Sequence, residues 1–223
     1  MPFDVGGNIL TSAKLKYFND TNIVRDGLIL YLDAGLASSY PGDGANVYDL
    51  SGNNYTFTLE GGIQYAGFYN ASFYNQNGGI QKTSNTALRS AITLVQWLNT
   101  GDTTGLMLSG EPVGQTGAYY VGAYYPGQAF YSSNCGSPSY YIDTNLTTNP
   151  ASPVNYIDDT WHMWEAKGLN FSSWTSTWNF LGYGAGYEIN GFVGCIMMYN
   201  RTLTASESLQ NYQALLPRFS TPY

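Results

Sequence analysis

The sequence predicts an all-β domain: two antiparallel sheets packed face to face, preceded by an N-terminal arm and closed by a short C-terminal helix. Three observations predict it. From Gly27 onward, short runs rich in β-branched and aromatic residues alternate with Gly-, Pro-, Asn- and Asp-rich turn signals. Over residues 160–166 the period is that of a strand, with Trp161, Met163 and Glu165 on one face and His162, Trp164 and Ala166 on the other. Near the end, an apolar run over 192–199 leads directly into a capped amphipathic helix, a closing element that needs a sheet already present to receive it.

Residues 1–26 lack a long periodic pattern, yet Phe3, Ile9, Leu10, Tyr17 and Phe18 are too apolar for a solvated tail, so this stretch reads as a docking arm. It has no basic segment leading into an apolar one, so no secretory leader is expected, and no run of the chain is apolar enough to cross a membrane. Residues 27–223 read as the sandwich. Strands are expected over 28–32, 55–59, 68–74, 79–82, 91–98, 106–108, 118–125, 129–131, 140–143, 160–166 and 192–199. Pro150 and Pro153 place residues 145–156 in a loop. In the closing helix, Thr204 and Glu207 form a T-x-x-E capping box. Leu209, Tyr212 and Leu216 give it an apolar stripe, and Pro217 is expected to stop it.

Composition narrows the function. Charged residues make up 10% of the 223, the net charge is −7, and there are 21 tyrosines. A nucleic-acid partner is excluded, because no basic patch exists to displace counterions. Uncharged polar and aromatic residues suit wet interfaces, as on an extracellular or virion surface. Cys135 and Cys195 are too few for a disulfide framework, and Cys195 lies in a buried run, so a free packed thiol is expected.

Two segments carry a family resemblance. GFVGCIMMYNRTLTASESLQNYQAL, residues 191–215, resembles the last strand and terminal helix of laminin-G-like, concanavalin A-like jelly rolls. GLILYLDAGLASSYPGDGANVYDLSGNNYTFTL, residues 27–59, resembles their first strands. Between these anchors Trp97 falls where the family has an aromatic, and residues 160–166 resemble its WHHVA strand. The match breaks after that strand, where residues 167–178 replace the usual hairpin, and residues 179–184 then resemble the family's iGg strand. The resemblance implies a jelly-roll sandwich, and it gives His162 a structural role.

Candidate chemistry is sparse. Glycan cleavage needs two carboxylates on one strand face, and none of the five glutamates has an acidic partner at i+2 or i+4, so no enzymatic activity is expected. A lone histidine makes no zinc site. No metal is expected to be required; calcium is the one the loops would suit, at Asp43, at Asp49 with Asn53, or at Asp143 with Asn145, although such pairs are ordinarily turns. Sugar binding would use aromatic faces, and Tyr119, Tyr120, Tyr124, Tyr125 and Tyr131 are the candidates. With the arm, this profile is similar to the decoration or fibre proteins of tailed phages. It implies a non-enzymatic, oligomeric virion-surface component joined to other virion proteins through its arm. The alternative is a lectin module for host-surface glycans.

Overall fold

The computed structural model describes residues 22–67, 70–82, 86–110, 119–123, 130–146, 156–174, 177–182 and 188–220. Fifteen strands appear among them: β1 (Leu28–Asp33), β2 (Asn46–Tyr48), β3 (Thr56–Glu60), β4 (Gln64–Ala66), β5 (Ser72–Asn75), β6 (Gly79–Lys82), β7 (Thr93–Asn99), β8 (Leu108–Gly110), β9 (Tyr119–Ala123), β10 (Tyr131–Ser133), β11 (Gly136–Ile142), β12 (Asn145–Leu146), β13 (Trp161–Leu169), β14 (Trp178–Phe180) and β15 (Gly191–Tyr199). One helix, α1 (Ala205–Phe219), follows them and is too short to cross a membrane. The expected arm residues Phe3, Ile9, Leu10, Tyr17 and Phe18 lie outside the described residues, as do Tyr124 and Tyr125.

The strands form two antiparallel sheets, as the sequence predicts. The first runs β12-β11-β13-β7-β15-β5-β4, with β1 also paired to β15; the second runs β10-β9-β8-β14-β6-β3-β2. One edge of β15 is shared, because Gly191 to Val193 face β5 while Cys195 to Tyr199 face β1. Between the sheets lies the main core, built from residues such as Leu30, Phe57, Phe73, Leu98, Trp164, Trp178 and Phe180. A second core fills the space between the outer face of the first sheet and α1, with Tyr31, Val95, Trp97, Met163, Met197 and Leu215. The first sheet is therefore buried on both faces, which is why residues 192–199 read as one continuous apolar run. Both Cys135 and Cys195 are buried free thiols, and burial pushes the Cys135 thiol up to about 11.

The helix begins as expected. Thr204 Oγ1 accepts from Glu207 N, and the Glu207 carboxylate accepts from Thr204 N at 2.9 Å. Two expectations are corrected beyond that. Leu209 is exposed, and the buried stripe is Ser208, Asn211, Leu215, Arg218 and Phe219, one position away from the predicted one. The stripe is half polar because these residues answer polar groups beneath them: Asn211 accepts from Val24 N, and Ser208 donates to Glu165. Nor does Pro217 stop the helix, which runs on to Phe219. The two residues after the proline are drawn inward, Phe219 stacked on Trp97 with ring centroids 4.6 Å apart and Arg218 into a buried ion pair. Ile23 and Val24 are also buried in the second core, and the Val24 carbonyl accepts from Tyr199 OH, so packing on the sandwich begins ahead of Gly27.

Three strands are absent from the sequence reading: β2, β4 and β12. Each is two or three residues long, too short to show a period. The run expected at 106–108 begins instead at Leu108 and continues to Gly110.

Candidate functional site

The second sheet carries the candidate site on the face turned away from the core. Its strands are short, and in each the apolar residues point inward: Val47, Phe57, Leu59, Ile80, Trp178, Phe180, Leu108 and Val121. Strand alternation turns their neighbours outward. The pairing register sets those neighbours side by side: Asn46 opposite Thr58, Thr58 opposite Gln81, Gln81 opposite Asn179, Asn179 opposite Ser109, Ser109 opposite Tyr120, and Tyr120 opposite Ser133. The result is one polar row across seven strands, about 29 Å long at the usual strand spacing.

Enclosure varies along the row. Asn46 is exposed, Thr58, Gln81, Tyr120 and Ser133 are half-buried, and at the centre Asn179 is 2% and Ser109 1% exposed. Neither Asn179 Oδ1 nor Ser109 Oγ has a hydrogen-bond partner. A buried polar atom left without a partner costs about 1–3 kcal/mol, and such atoms are rare in folded proteins. Other such atoms, Gln96 Oε1 and Trp97 Nε1 among them, lie inside the fold; Asn179 Oδ1 and Ser109 Oγ differ in standing on directly opposed residues of one outward row.

The fold is shared with proteins of known structure. No protein-family model matches the chain, and no curated protein does. Domain 4 of AbnA, a GH43 extracellular arabinanase from Geobacillus stearothermophilus solved with arabinotriose, aligns with a TM-score of 0.53 at 14% identity, covering 83% of this chain and 98% of that one. Trypanosoma rangeli sialidase in complex with sialic acid aligns with a TM-score of 0.51 at 12% identity, over 87% of this chain and 34% of the sialidase. The binding domain of botulinum neurotoxin DC in complex with SialylT gives 0.50 at 12% identity, over 86% of this chain and 52% of that one. This chain thus spans about a third of the sialidase and about half of the toxin domain. At these identities the likeness is one of fold: a two-sheet β-sandwich.

Of the predicted tyrosines, the row takes in Tyr120. Tyr119 turns inward and packs edge-on against Trp174, centroids 5.8 Å apart, as neighbours on a strand must. Tyr131 lies on β10 opposite Ala123. Sequence reasoning missed Asn179, Ser109, Gln81 and Thr58. Their signal is a polar residue beside apolar ones in very short runs, as in Leu-Ser-Gly and Trp-Asn-Phe.

Two other polar groupings lie outside this row. His162 sits at the start of β13, with Nδ1 2.5 Å from Asp143 Oδ2 and Nε2 3.2 Å from Asp158 Oδ1. Thr160 Oγ1, 3.0 Å from Nε2, donates to Asp158 Oδ1, and each ring nitrogen lies within hydrogen-bond reach of a carboxylate. Burial alone would lower its pKa, but the bond to Asp143 and the charges of Asp143 and Asp158 outweigh that and raise it. The ring ties the β11–β12 turn to the loop before β13.

A groove of about 350 Å³ also runs between β11 and the start of α1, past Ser139, Tyr141, Thr144 and Thr202. Its floor is Lys167, whose ammonium lies 4.5 Å from the centre of the Tyr141 ring. That ammonium donates to Leu203 O at 3.1 Å and Ser208 Oγ at 2.7 Å, and lies 3.3 Å from Glu165 Oε2. The cation is fully engaged within the fold.

The loop carboxylates suggested for calcium have protein partners as well. Asp49 accepts from Tyr31 N, Ser51 N and Ser51 Oγ, and Asp143 accepts from Met163 N in addition to His162. Asn53 donates to Ile29 O, Asn145 donates to Asp143 O, and Asp43 lies in an exposed loop.

Proposed function

We propose that this chain is a non-enzymatic carbohydrate-binding module that takes its glycan along the outer face of the second sheet. The observation that carries the reading is the pair of buried, unpartnered atoms, Asn179 Oδ1 and Ser109 Oγ, at the centre of a row of amide, hydroxyl and phenol groups. Sugars are bound by such groups, because each hydroxyl both donates and accepts. The AbnA domain of the same fold was solved with arabinotriose, and the toxin domain with SialylT, which supports the class of ligand. The absence of catalysis is supported by the state of the enclosed acids: Asp33 pairs with Arg218, Glu165 with Lys167, and Asp49 closes a turn.

On a glycan array the chain is expected to bind a subset of sugars and leave their length unchanged. Asn179→Ala and Ser109→Ala should each weaken that binding about tenfold, the worth of one hydrogen bond to a buried group. Ser109→Ala should melt no lower than the parent, since the one atom it removes has no partner in the fold. Silence across the array, or undiminished binding by both variants, would count against the reading.

A virion setting is part of the same proposal. It is supported by the low charge, the acidic balance and the apolar residues of the first 21 positions. Those residues would tether the sandwich to a particle with its outer face turned to the surroundings. A chain starting at Asn22 keeps Ile23 and Val24 in the second core, so it should fold and bind sugar but fail to join particles. Normal incorporation would disprove the tether.

A further inference from the structure

We infer that the row selects uncharged glycans and rejects those bearing a carboxylate or sulfate. This rests on the reading of the row as a sugar site and names the class of sugar it takes. The side chains that form it, Asn46, Thr58, Gln81, Asn179, Ser109, Tyr120 and Ser133, carry no charge. Beside Ser109 Oγ, which can donate as well as accept, the enclosed centre of the row presents Asn179 Oδ1, an acceptor without a partner. Such an atom needs an O–H or N–H from the ligand. A carboxylate or sulfate offers only acceptors, and would set lone pair against lone pair where solvent is excluded.

An anion brought into that position would also need a cation, because a charge taken out of water is tolerated only when paired. Four of the described cations are engaged elsewhere. Arg218 pairs with Asp33, Lys167 with Glu165, and Arg201 with Glu207 and Asp26. Lys82 follows Gln81 on β6, but alternation sends it to the opposite face, where its ammonium bonds the Thr56 carbonyl and lies 5.9 Å from the centre of the Phe57 ring. The one charged residue at an outward strand position of this sheet, among the described residues, is Glu60, two residues along β3 from Thr58. Its sign, and the chain's net charge of −7, add repulsion of an acidic sugar. The row therefore differs in chemistry from a site for sialic acid, although about a third of a sialidase solved with that sugar shares the fold.

The test uses the full chain and matched pairs of probes, lactose against 3′-sialyllactose and arabinotriose against trigalacturonic acid, titrated by calorimetry at low salt. The neutral member of a pair is expected to bind at least ten times tighter than the acidic one, and Asn179→Ala to weaken it about tenfold. Glu60→Lys should raise the affinity for the acidic probe several-fold and leave the neutral one within twofold; it is a surface change and should leave melting unaltered. Acidic probes that bind as tightly as their neutral partners, and lose affinity in Asn179→Ala, would overturn the selection while leaving the row as the sugar site. Binding that ignores both Asn179→Ala and Ser109→Ala, or no binding by any probe, would overturn the site itself and the selection with it.

Discussion

Arg218→Ala is expected to destabilise the fold by about 3–5 kcal/mol, the usual cost of leaving one member of a buried ion pair alone. For a domain of this size that lowers the melting temperature by roughly 10 °C. Arg218 is 5% and Asp33 1% exposed, and Nη1 lies 2.5 Å from Asp33 Oδ1. The rest of the guanidinium is equally enclosed: Nε donates to Asn70 O at 2.9 Å and Nη2 to Ala71 O at 2.6 Å. Asn70 and Ala71 both hold positive φ, 51° and 47°, an unfavourable backbone for residues with a Cβ, and it brings both their carbonyls to the guanidinium. Gly35 lies against the flat face of the group; a Cβ there would come 2.7 Å from Arg218 Cζ. Removing the side chain leaves Asp33 buried without its cation, with Tyr31 OH and Gly35 N as its remaining close donors. Arg218→Lys should recover little, because an ammonium cannot reach a carboxylate and two carbonyls with a planar fork. Urea denaturation measures the loss, and an Arg218→Ala protein within about 1 kcal/mol of the parent would refute the role given to this contact.

Lys167→Met should cost a similar amount near neutral pH, about 3 kcal/mol, and much less in acid. Glu165 is 1% exposed beneath the start of α1. Burial raises its pKa, while Lys167 and the hydroxyl of Ser208 pull it back down. A carboxyl whose folded pKa lies above its unfolded value of about 4.3 favours the folded state fully below that value, and the contribution is lost as pH rises through the folded pKa. Without Lys167 the folded pKa climbs further, so the variant loses stability over a wider range above pH 4. The gap between variant and parent should thus be small near pH 4 and widen toward pH 7. Adding Glu165→Leu should close most of it, since replacing both members of a buried pair is nearly neutral. A gap of constant size across that range would show that Glu165 stays ionised whatever its neighbour.

Much of the fold is legible in the sequence, and the reason is local. The capping box of Thr204 and Glu207, the alternation of Trp161 to Ala166 and the apolar run of β15 are each settled by residues near one another in the chain. What could not be read is non-local. Asn179 shows its meaning only when β14 is set between β6 and β8, bringing it opposite Gln81 on one side and Ser109 on the other. Nothing near Arg218 in the chain points to its role, because its partner Asp33 is 185 residues away. The predicted tyrosines show the same limit. Their spacing put Tyr119 and Tyr120 on opposite faces, but only the sheet register shows that the outward one joins a polar row.

A crystal structure of the chain soaked with arabinotriose tests the central claim most directly. The proposal predicts sugar density across β8 and β14, with hydroxyl oxygens about 2.8 Å from Asn179 Oδ1 and Ser109 Oγ. Sugar seated in the groove over Tyr141, with Asn179 and Ser109 untouched, would contradict it.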